Sequence, residues 1–328
     1  MLARINAYME KIMPLITPVS VVLGLLLSQW LTPYQGWSTA LFAFMTFAGS
    51  LRSGFRDVAH VARHPLPLIA ALVVLHVLMP LAAWGFGHVF FAKEPLILTG
   101  IVLAAAIPTG VTSLMWASIY RGHVVLMLSI ILIDTLLAPF TVPATMQLLV
   151  GAKVSIDAWA MMKGLLFMIV LPSLLGMALH QLTGGRVHQR WSVRLAPFSK
   201  LAMAIVVALN GAVIAPYLRT PSLQLVGLAV FVLLLAALGY VLGWLVARML
   251  RWDRGTSVVL TFGGGMRNIS AGAVLAIAYF PAPTAIPVVL GMLFQQSLAS
   301  LFGYGLHRRG VAGEAGRARS GAGSRDGD

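Results

Sequence analysis

The 328-residue sequence contains no cysteine and very little charge, and each absence limits what the chain can be. Without cysteine there are no disulfides, zinc–thiolate sites or cysteine nucleophiles. Only 10% of the residues are Asp, Glu, Lys or Arg, whereas soluble domains carry roughly 25%. A surface of this size with so few charges cannot face water. The composition therefore argues against a soluble enzyme, a disordered polymer and a nucleic-acid-binding domain.

The apolar residues that replace the missing charge are gathered into long stretches. They make up 59% of the chain and raise its mean hydropathy to +0.90. A helix needs about 20 apolar residues to cross a bilayer, and lipid offers no partner to an open backbone. The sequence therefore predicts an all-α integral membrane protein with ten spans: 13–31, 36–51, 66–91, 95–120, 124–149, 159–180, 197–217, 222–247, 256–280 and 284–306.

Acidic residues are especially few, 9 against 23 Lys and Arg, and the position of the basic residues predicts an orientation. Cytoplasmic loops are enriched in Lys and Arg. With the N-terminus inside, 18 basic residues fall on the cytoplasmic side, whereas the outside loops hold only Lys93, Lys153 and Arg219. Lys163 and Arg267 fall within spans. This distribution predicts an inner-membrane protein with both termini cytoplasmic.

The two ends of the chain carry their own predictions. A basic start leads into the first span without a small-x-small cleavage pattern, which favours a retained first helix over a signal peptide. Residues 307–328 are rich in Gly, Ala and Arg and predict a disordered basic cytoplasmic tail. Residues 1–306 then form a single transmembrane unit.

The two halves of that unit resemble each other at a constant offset of 156 positions. Arg63-His64-Pro65 corresponds to Arg219-Thr220-Pro221, and Gly87 corresponds to Gly243. Five spans reverse the orientation of whatever follows, so repeats at about 13–150 and 159–306 are inverted relative to each other. Inverted repeats with interrupted helices are typical of secondary transporters whose site lies near the midplane.

Spans four and nine each carry a predicted interruption. Pro108 lacks an N–H and Gly110 adds backbone freedom, with the hydroxyls of Thr109, Thr112 and Ser113 at the same point. Span nine contains Gly263, Gly264 and Gly265 in a row, which we expect to unwind the helix. Unwound backbone at this depth must line protein or a cavity. The simpler alternative is a pair of kinks used for packing.

Arg267 lies deep within span nine, about ten residues from either end. A charge at that depth is costly unless it is paired or hydrated, and it indicates a functional site. The one carboxylate predicted within a span is Asp134 in span five. We expect the two to share one polar cavity, paired directly or through water. A buried ion pair that only sets helix register is the alternative.

Other polar residues within the spans have simpler interpretations. His76 and His88 are interpreted as packed or hydrogen-bonded residues, and Lys163 as reaching the outer interface. Gln295 and Gln296 either line the cavity or bond across helices. The 16 methionines indicate packing rather than a metal pathway. No HExxH, GxSxG or P-loop pattern occurs, so the sequence predicts neither an enzyme nor an ATP-driven pump.

At these residues the sequence resembles the bile acid:sodium symporter family. The similarity covers roughly residues 15–306 and is strongest at four segments: Met79-Pro80, Ile107-Pro108-Thr109-Gly110 through Arg121-Gly122, Thr135-Leu136-Leu137-Ala138-Pro139, and Phe262-Gly263-Gly264-Gly265-Met266-Arg267-Asn268. The resemblance implies ten helices in panel and core domains, with broken helices four and nine crossing each other. It also implies sodium-coupled uptake of organic anions.

The chain departs from the family pattern at most of the polar positions associated with sodium. Gly263 and Arg267 stand where the family has Glu and Gln, and Leu114 where it has Asn. Leu75 and Ile131 likewise replace polar residues, while Ser113 and Thr135 match. Sodium needs several oxygen ligands around one point, and a guanidinium repels a cation. The sequence therefore predicts weak or no sodium coupling, no metal site and no other cofactor.

The preferred interpretation is a secondary carrier of a small organic anion. Thr109, Thr112, Ser113, Arg267, Asn268 and Gln296 are the predicted substrate-binding residues. Asp134, Thr135 and Arg267 are predicted for ion coupling or a charge pair. The partners are the substrate and the lipid bilayer. Three alternatives stay open: a sodium-coupled symporter that uses backbone carbonyls, a membrane ligand sensor without transport, and a channel.

Overall fold

The structure is a computed structural model that describes residues 16–52, 54, 65–152, 154–188, 191, 193–218 and 222–322. Within these residues every regular element is a helix, and one isolated antiparallel bridge is the single exception to helical pairing. The helices are numbered here in chain order: α1 Ile16–Leu26, α2 Ser28–Leu31, α3 Trp37–Ser50, α4 Pro65–Phe91, α5 Pro95–Ala106, α6 Thr112–Ile119, α7 Val124–Val150, α8 Ala158–Leu182, α9 Val193–Leu218, α10 Leu223–Met249, α11 Arg254–Gly265, α12 Ile269–Tyr279 and α13 Ala285–Ala322.

Six stretches of helix among the described residues are long and apolar enough to cross a membrane, namely α4, α7, α8, α9, α10 and residues 282–306. A seventh is added if Ile16–Leu26 and Ser28–Tyr34, which meet at 88°, count as one span. The chain is therefore an all-α membrane protein. Each of the ten predicted ranges contains helix, but α3 has only 14 residues, so the number of crossings stays a prediction.

The last helix extends beyond the predicted end of span ten. Its bounds are Ala285–Ala322, so it enters the range for which the sequence predicts a disordered tail. Residues 323–328 lie outside the described part of the chain, and disorder of the tail stays a prediction.

Two of the long helices contain a π-helical turn just before a proline. These turns are Val74–Leu78 in α4 and Leu166–Val170 in α8, followed by Pro80 and Pro172. Proline has no N–H for the carbonyl four residues earlier and its ring crowds that carbonyl, so a locally wider turn relieves the contact. Such turns are frequent at functional sites. The turn in α4 carries His76.

Both helices that the sequence predicts to be interrupted contain a break. α5 ends at Ala106, Ile107 is extended with ψ of 149°, and α6 starts at Thr112. α11 ends at Gly265, Met266 is extended with ψ of 109°, and α12 starts at Ile269. We call residues 107–111 break 1 and residues 266–268 break 2.

The prediction that the three glycines themselves unwind span nine is wrong, because α11 runs through them. Two of these glycines, Gly264 and Gly265, allow α11 to pack closely against α10. A Cβ on Gly264 would lie 2.8 Å from the Gly239 carbonyl oxygen, and one on Gly265 would overlap the Tyr240 ring. Gly263 has more room, since its nearest neighbour would be the Met127 side chain at 3.8 Å. Tight helix contact therefore offsets the low helix propensity of glycine.

The start of α11 is held by a cap from Asp253. The carboxylate accepts hydrogen bonds from the backbone N–H groups of Gly255 and Thr256, a common N-cap arrangement. His123, in the loop before α7, lies 2.8 Å from the same carboxylate. Partial burial raises the pKa of Asp253, but hydrogen bonds from Thr256 and His123 outweigh this and hold it below its usual value. The cap thereby connects the start of α11 to the loop between α6 and α7.

Gly265→Ala should destabilise the protein, because the new methyl group would meet the Tyr240 ring. Overpacking of this kind costs about 1–3 kcal/mol. Gly263→Ala makes the same change in the same turn, where the methyl group would make only ordinary contact with Met127, and is the matched control. The thermal midpoint of purified protein in detergent at one heating rate measures both. Equal midpoints for the two variants would contradict the packing role.

Candidate functional site

The two breaks meet in the interior of the helix bundle. Thr109 of break 1 and Arg267 of break 2 form the antiparallel bridge, and both residues are buried. Gly110 allows this approach, since a Cβ there would lie 2.8 Å from the Arg267 carbonyl oxygen. Two unwound segments thus pair with each other at a depth where neither could pair with water.

Two backbone hydrogen bonds flank this bridge. The Gly110 N–H donates to the Met266 carbonyl at 3.0 Å, and the Asn268 N–H donates to the Pro108 carbonyl at 2.7 Å. These four groups would otherwise lack partners, because each lies in a break between two helices. Each break therefore supplies hydrogen-bond partners for backbone groups of the other break.

Thr109 connects the paired breaks to the surrounding helices. Its backbone N–H donates to Asp134 Oδ2 at 2.6 Å, and its hydroxyl donates to the Gly263 carbonyl at 3.3 Å. Asp134 lies in α7 and its side chain is fully buried. Hydrogen bonds to a charged acceptor are stronger than neutral ones. The carboxylate therefore anchors break 1 to α7.

Arg267 is 6% exposed, so its charge is almost completely removed from solvent. Its backbone N–H donates to Gln295 Oε1 at 3.0 Å, and Nη1 donates to the Ile107 carbonyl at 3.3 Å. Its Nε and Nη2 have no hydrogen-bond partner among the described residues. These two atoms form one edge of the guanidinium, the edge that binds a carboxylate with two parallel hydrogen bonds.

Asp134 and Arg267 both contact Thr109 and interact electrostatically. Both side chains are among the described residues, and no direct ion pair joins them. The nearest basic group to Asp134 is instead His76, whose Nε2 lies 2.9 Å from Oδ1. This is ion-pair distance, although the ring N–H does not point along the line that a hydrogen bond requires.

A cavity of about 50 Å³ adjoins the paired breaks. Arg267 and Gln295 are the polar side chains in its lining, and the rest is apolar or glycine. A cavity of this size holds only a few waters or a very small ion. Its other lining residues are Met79, Ile101, Ala104, Ala105, Val232, Leu235, Ala236, Gly264, Gly265, Ile269, Val288 and Gly291.

The remaining predicted residues surround the breaks but do not line this cavity. The Ser113 hydroxyl donates to the Gly110 carbonyl at 2.6 Å, inside break 1. The Asn268 side chain caps α12 by accepting from the Ala271 N–H at 3.3 Å. Thr112 is half-buried in the first turn of α6, and Thr135 is half-buried beside Asp134 in α7.

The two glutamines of α13 have different partners. Gln296 accepts a hydrogen bond from Trp116 Nε1 at 3.0 Å and so ties α13 to α6. Gln295 instead contacts Arg267 and the cavity. Gln296 is the residue that the sequence predicts for the substrate site, whereas the geometry favours Gln295. Adjacent residues on a helix point about 100° apart, and the sequence alone did not show which one faces break 2.

His76 is the other residue whose role the sequence analysis missed. The sequence favours a packed or hydrogen-bonded residue, whereas the structure places its Nε2 2.9 Å from Asp134 Oδ1. The available signal was weak: a histidine one turn before Pro80, where the helix cannot keep regular bonding.

Comparison with known proteins gives the family. A sequence profile of the Sodium Bile acid symporter family matches residues 39–218, more than half of the chain. The chain belongs to this family. The matched part includes break 1 and Asp134, and the resemblance stated from the sequence is confirmed.

Several proteins are similar over most of their length. The Bacillus subtilis protein YbaS is 53% identical over 90% of this chain and 97% of its own. YocS of the same species, named as a sodium-dependent transporter, is 25% identical over 82% of each chain. A rice chloroplast protein named as probable sodium/metabolite cotransporter BASS2 is 24% identical over 90% of this chain and 72% of its own. The family name and the names of YocS and the rice protein are those of transporters rather than enzymes, and the chain is a multi-pass membrane transporter.

Asp134→Ala should destabilise the protein, because it leaves the buried Thr109 N–H without an acceptor and Arg267 without its counter-charge. An unsatisfied buried donor costs about 1–3 kcal/mol. Asp134→Asn keeps an acceptor oxygen for Thr109 and is the control. We expect a clear drop in the thermal midpoint for the alanine variant and a smaller one for asparagine. Midpoints in the reverse order would argue against the anchor role of Asp134.

Proposed function

We propose that the protein is a secondary active transporter of a small organic anion with weak or no sodium coupling. It works by alternating access, with ten transmembrane helices arranged as two inverted five-helix repeats. The anion binds beside the paired breaks, where the unpaired edge of Arg267 receives its acidic group.

The buried guanidinium of Arg267 carries this proposal. Placing a charge at 6% exposure costs several kcal/mol unless something compensates it. One hydrogen bond to a carbonyl, and a carboxylate that forms no direct ion pair with it, compensate the charge only in part, since Nε and Nη2 have no hydrogen-bond partner within the described part of the chain. An anionic ligand with two oxygens would satisfy both donors at once.

The carbonyl groups around the breaks argue against tight sodium binding by the backbone. Five of them already accept hydrogen bonds from the chain itself: Ile107, Pro108, Gly110, Gly263 and Met266. The donor to Ile107 is Arg267, so a fixed positive charge does part of the work that a bound cation would do. Sodium would have to compete with these bonds and with the repulsion of the guanidinium.

Two features support the inverted repeat. α5 and α11 each have 12 residues and each end at an extended residue. Their breaks pair in antiparallel fashion, as equivalent segments of oppositely oriented repeats would. The small cavity supports alternating access, since even a modest organic anion needs more room than about 50 Å³ and must bind in a more open state.

A sodium-coupled symporter is the second candidate, and the names of the relatives favour it. YocS is named as sodium-dependent, and the rice protein as a probable sodium/metabolite cotransporter. At about a quarter identity, replacement of a few ligands can change the coupling ion while the fold stays the same.

Uptake into proteoliposomes separates the two candidates. Purified protein is tested with radiolabelled taurocholate, lactate, succinate and benzenesulfonate, with choline as a cationic control. We expect saturable uptake of at least one anion that changes little when sodium is replaced by potassium. A steep sodium dependence would favour the sodium symporter, and ligand binding without flux would favour a membrane sensor.

Arg267→Gln should weaken anion transport strongly, because it removes the charged donor edge. Loss of a charge-assisted bond costs about 1.5–3 kcal/mol, which corresponds to roughly 10–100-fold in apparent affinity. Arg248→Gln removes an arginine that lies over Trp244 near the end of α10 and serves as control. Half-saturation for the transported anion is the measurement. Equal transport by both variants would remove Arg267 from the substrate site.

The proposed location is the inner membrane with both termini cytoplasmic. Because the chain has no cysteine, single cysteines can report sidedness without background. Ser155→Cys lies between α7 and α8 and should react with an impermeant maleimide on intact cells. Leu250→Cys lies after α10 and should react only after permeabilisation. Labelling in the opposite order would reverse the orientation.

A further inference from the structure

The proposed anion site at Arg267 does not include the His76–Asp134 pair. His76 lies in the π-helical turn of α4 with 14% of its side chain exposed, and the Asp134 side chain is fully buried in α7. Their nearest atoms, Nε2 and Oδ1, are 2.9 Å apart. A buried carboxylate beside an imidazole is a group that can hold one exchangeable proton.

Few other titratable groups face this pair from the helices packed against α4 and α7. Tyr240 of α10 is buried and its hydroxyl donates to the Gln295 carbonyl at 3.2 Å. α5 and α6 contain no titratable side chain. The remaining groups on the neighbouring helices are Arg267 at break 2, Arg248 and Arg254 near the ends of α10 and α11, and two residues of α8, Lys163 over the Trp159 ring and His180 beside the Leu51 carbonyl.

The charges at the paired breaks balance in only two states. With a neutral imidazole and no substrate, Asp134 and Arg267 cancel. With a monovalent anion bound at Arg267, one added proton on the His76–Asp134 pair restores neutrality. Substrate alone or proton alone leaves one net charge in a site of low dielectric, which is costly to move through the membrane.

We propose that the His76–Asp134 pair is the coupling site and that the protein is a proton/anion symporter with one proton for each monovalent anion. This rests on the proposed function, since it supplies the ion that drives the same anion site. In the outward-open state a proton from water binds the pair and an anion binds Arg267. After the site opens inward both leave, the proton to cytoplasmic water, and the empty neutral site returns.

Thr109 connects the proposed proton site to the paired breaks. Asp134 accepts the Thr109 N–H at 2.6 Å, and Thr109 forms the bridge to Arg267. The carboxylate therefore holds break 1 with one oxygen and faces His76 with the other. A proton on the pair changes the charge that Thr109 and Arg267 meet, so proton binding and anion binding affect each other reciprocally.

Transport driven by a pH gradient tests the proposal, with the anion from the panel above that the wild-type protein takes up. At an outside pH of about 6.5 and an inside pH about one unit higher, equilibrium accumulation should reach about tenfold. Because no net charge moves, a potassium diffusion potential should leave it unchanged. Uptake that ignores the pH gradient, or that follows the potential, would overturn the proposal and leave the anion site standing.

Two variants give different expected results. His76→Gln should abolish accumulation driven by the pH gradient. Asp134→Asn should keep exchange of internal for external anion, because its loaded site is neutral without a proton, but should lose net uptake, because its empty site is charged. His88→Gln is the matched control, a histidine of the same helix whose ring centre lies 5.4 Å from that of Trp84. Gradient-driven uptake by His76→Gln equal to that of His88→Gln would overturn the proposal.

A readout without substrate separates this proposal from the proposed function. Infrared difference spectra of reconstituted protein between acid and neutral pH should contain imidazole or carboxyl bands that disappear in both His76→Gln and Asp134→Asn but persist in His88→Gln. If no anion of the panel is transported, the proposed function fails while these bands still support the proton site. Their absence in the wild type would overturn the proton site, whatever the anion result.

Discussion

The antiparallel pairing of two broken helices is the constraint on which the rest of the structure depends. In an apolar interior an interrupted helix leaves donors and acceptors that water cannot satisfy. Break 1 and break 2 hydrogen-bond to each other around the Thr109–Arg267 bridge and so satisfy these donors and acceptors. Neither helix could be broken alone without a large penalty, so the two breaks must form together and be held in register.

Much of the surrounding sequence serves to bring the breaks together. Gly110 lets the two backbones touch, and Gly264 and Gly265 let α11 press against α10. Asp134 then fastens break 1 to α7, and the Asn268 cap starts α12 directly after break 2. Small residues create the contact and polar residues fix its geometry, as expected where helix association gains nothing from a hydrophobic effect.

A guanidinium at this point changes the electrostatics relative to a site built for a metal ion. Its charge is covalently attached, so it stays when the substrate leaves and needs a permanent counter-charge. Asp134 is available for that purpose, and His76 lies beside it. In the proposed mechanism this charge balance, rather than a bound sodium ion, couples transport.

The amino-acid sequence by itself determined the membrane class, the family, the place of break 1 and the presence of an interruption in span nine. Hydropathy, proline and glycine act locally, so their effects can be read along the chain. Arg267 and Asp134 were also identifiable, because a charge within an apolar span is conspicuous wherever it points.

Only the tertiary structure decided which polar groups meet. Gln295 rather than Gln296 faces Arg267, His76 rather than Arg267 contacts Asp134, and the glycines of α11 stay helical. Each of these depends on helix rotation and on contacts between residues far apart in sequence. Neighbouring helical residues differ by about 100° in direction, so a small rotation decides which side chain enters the site.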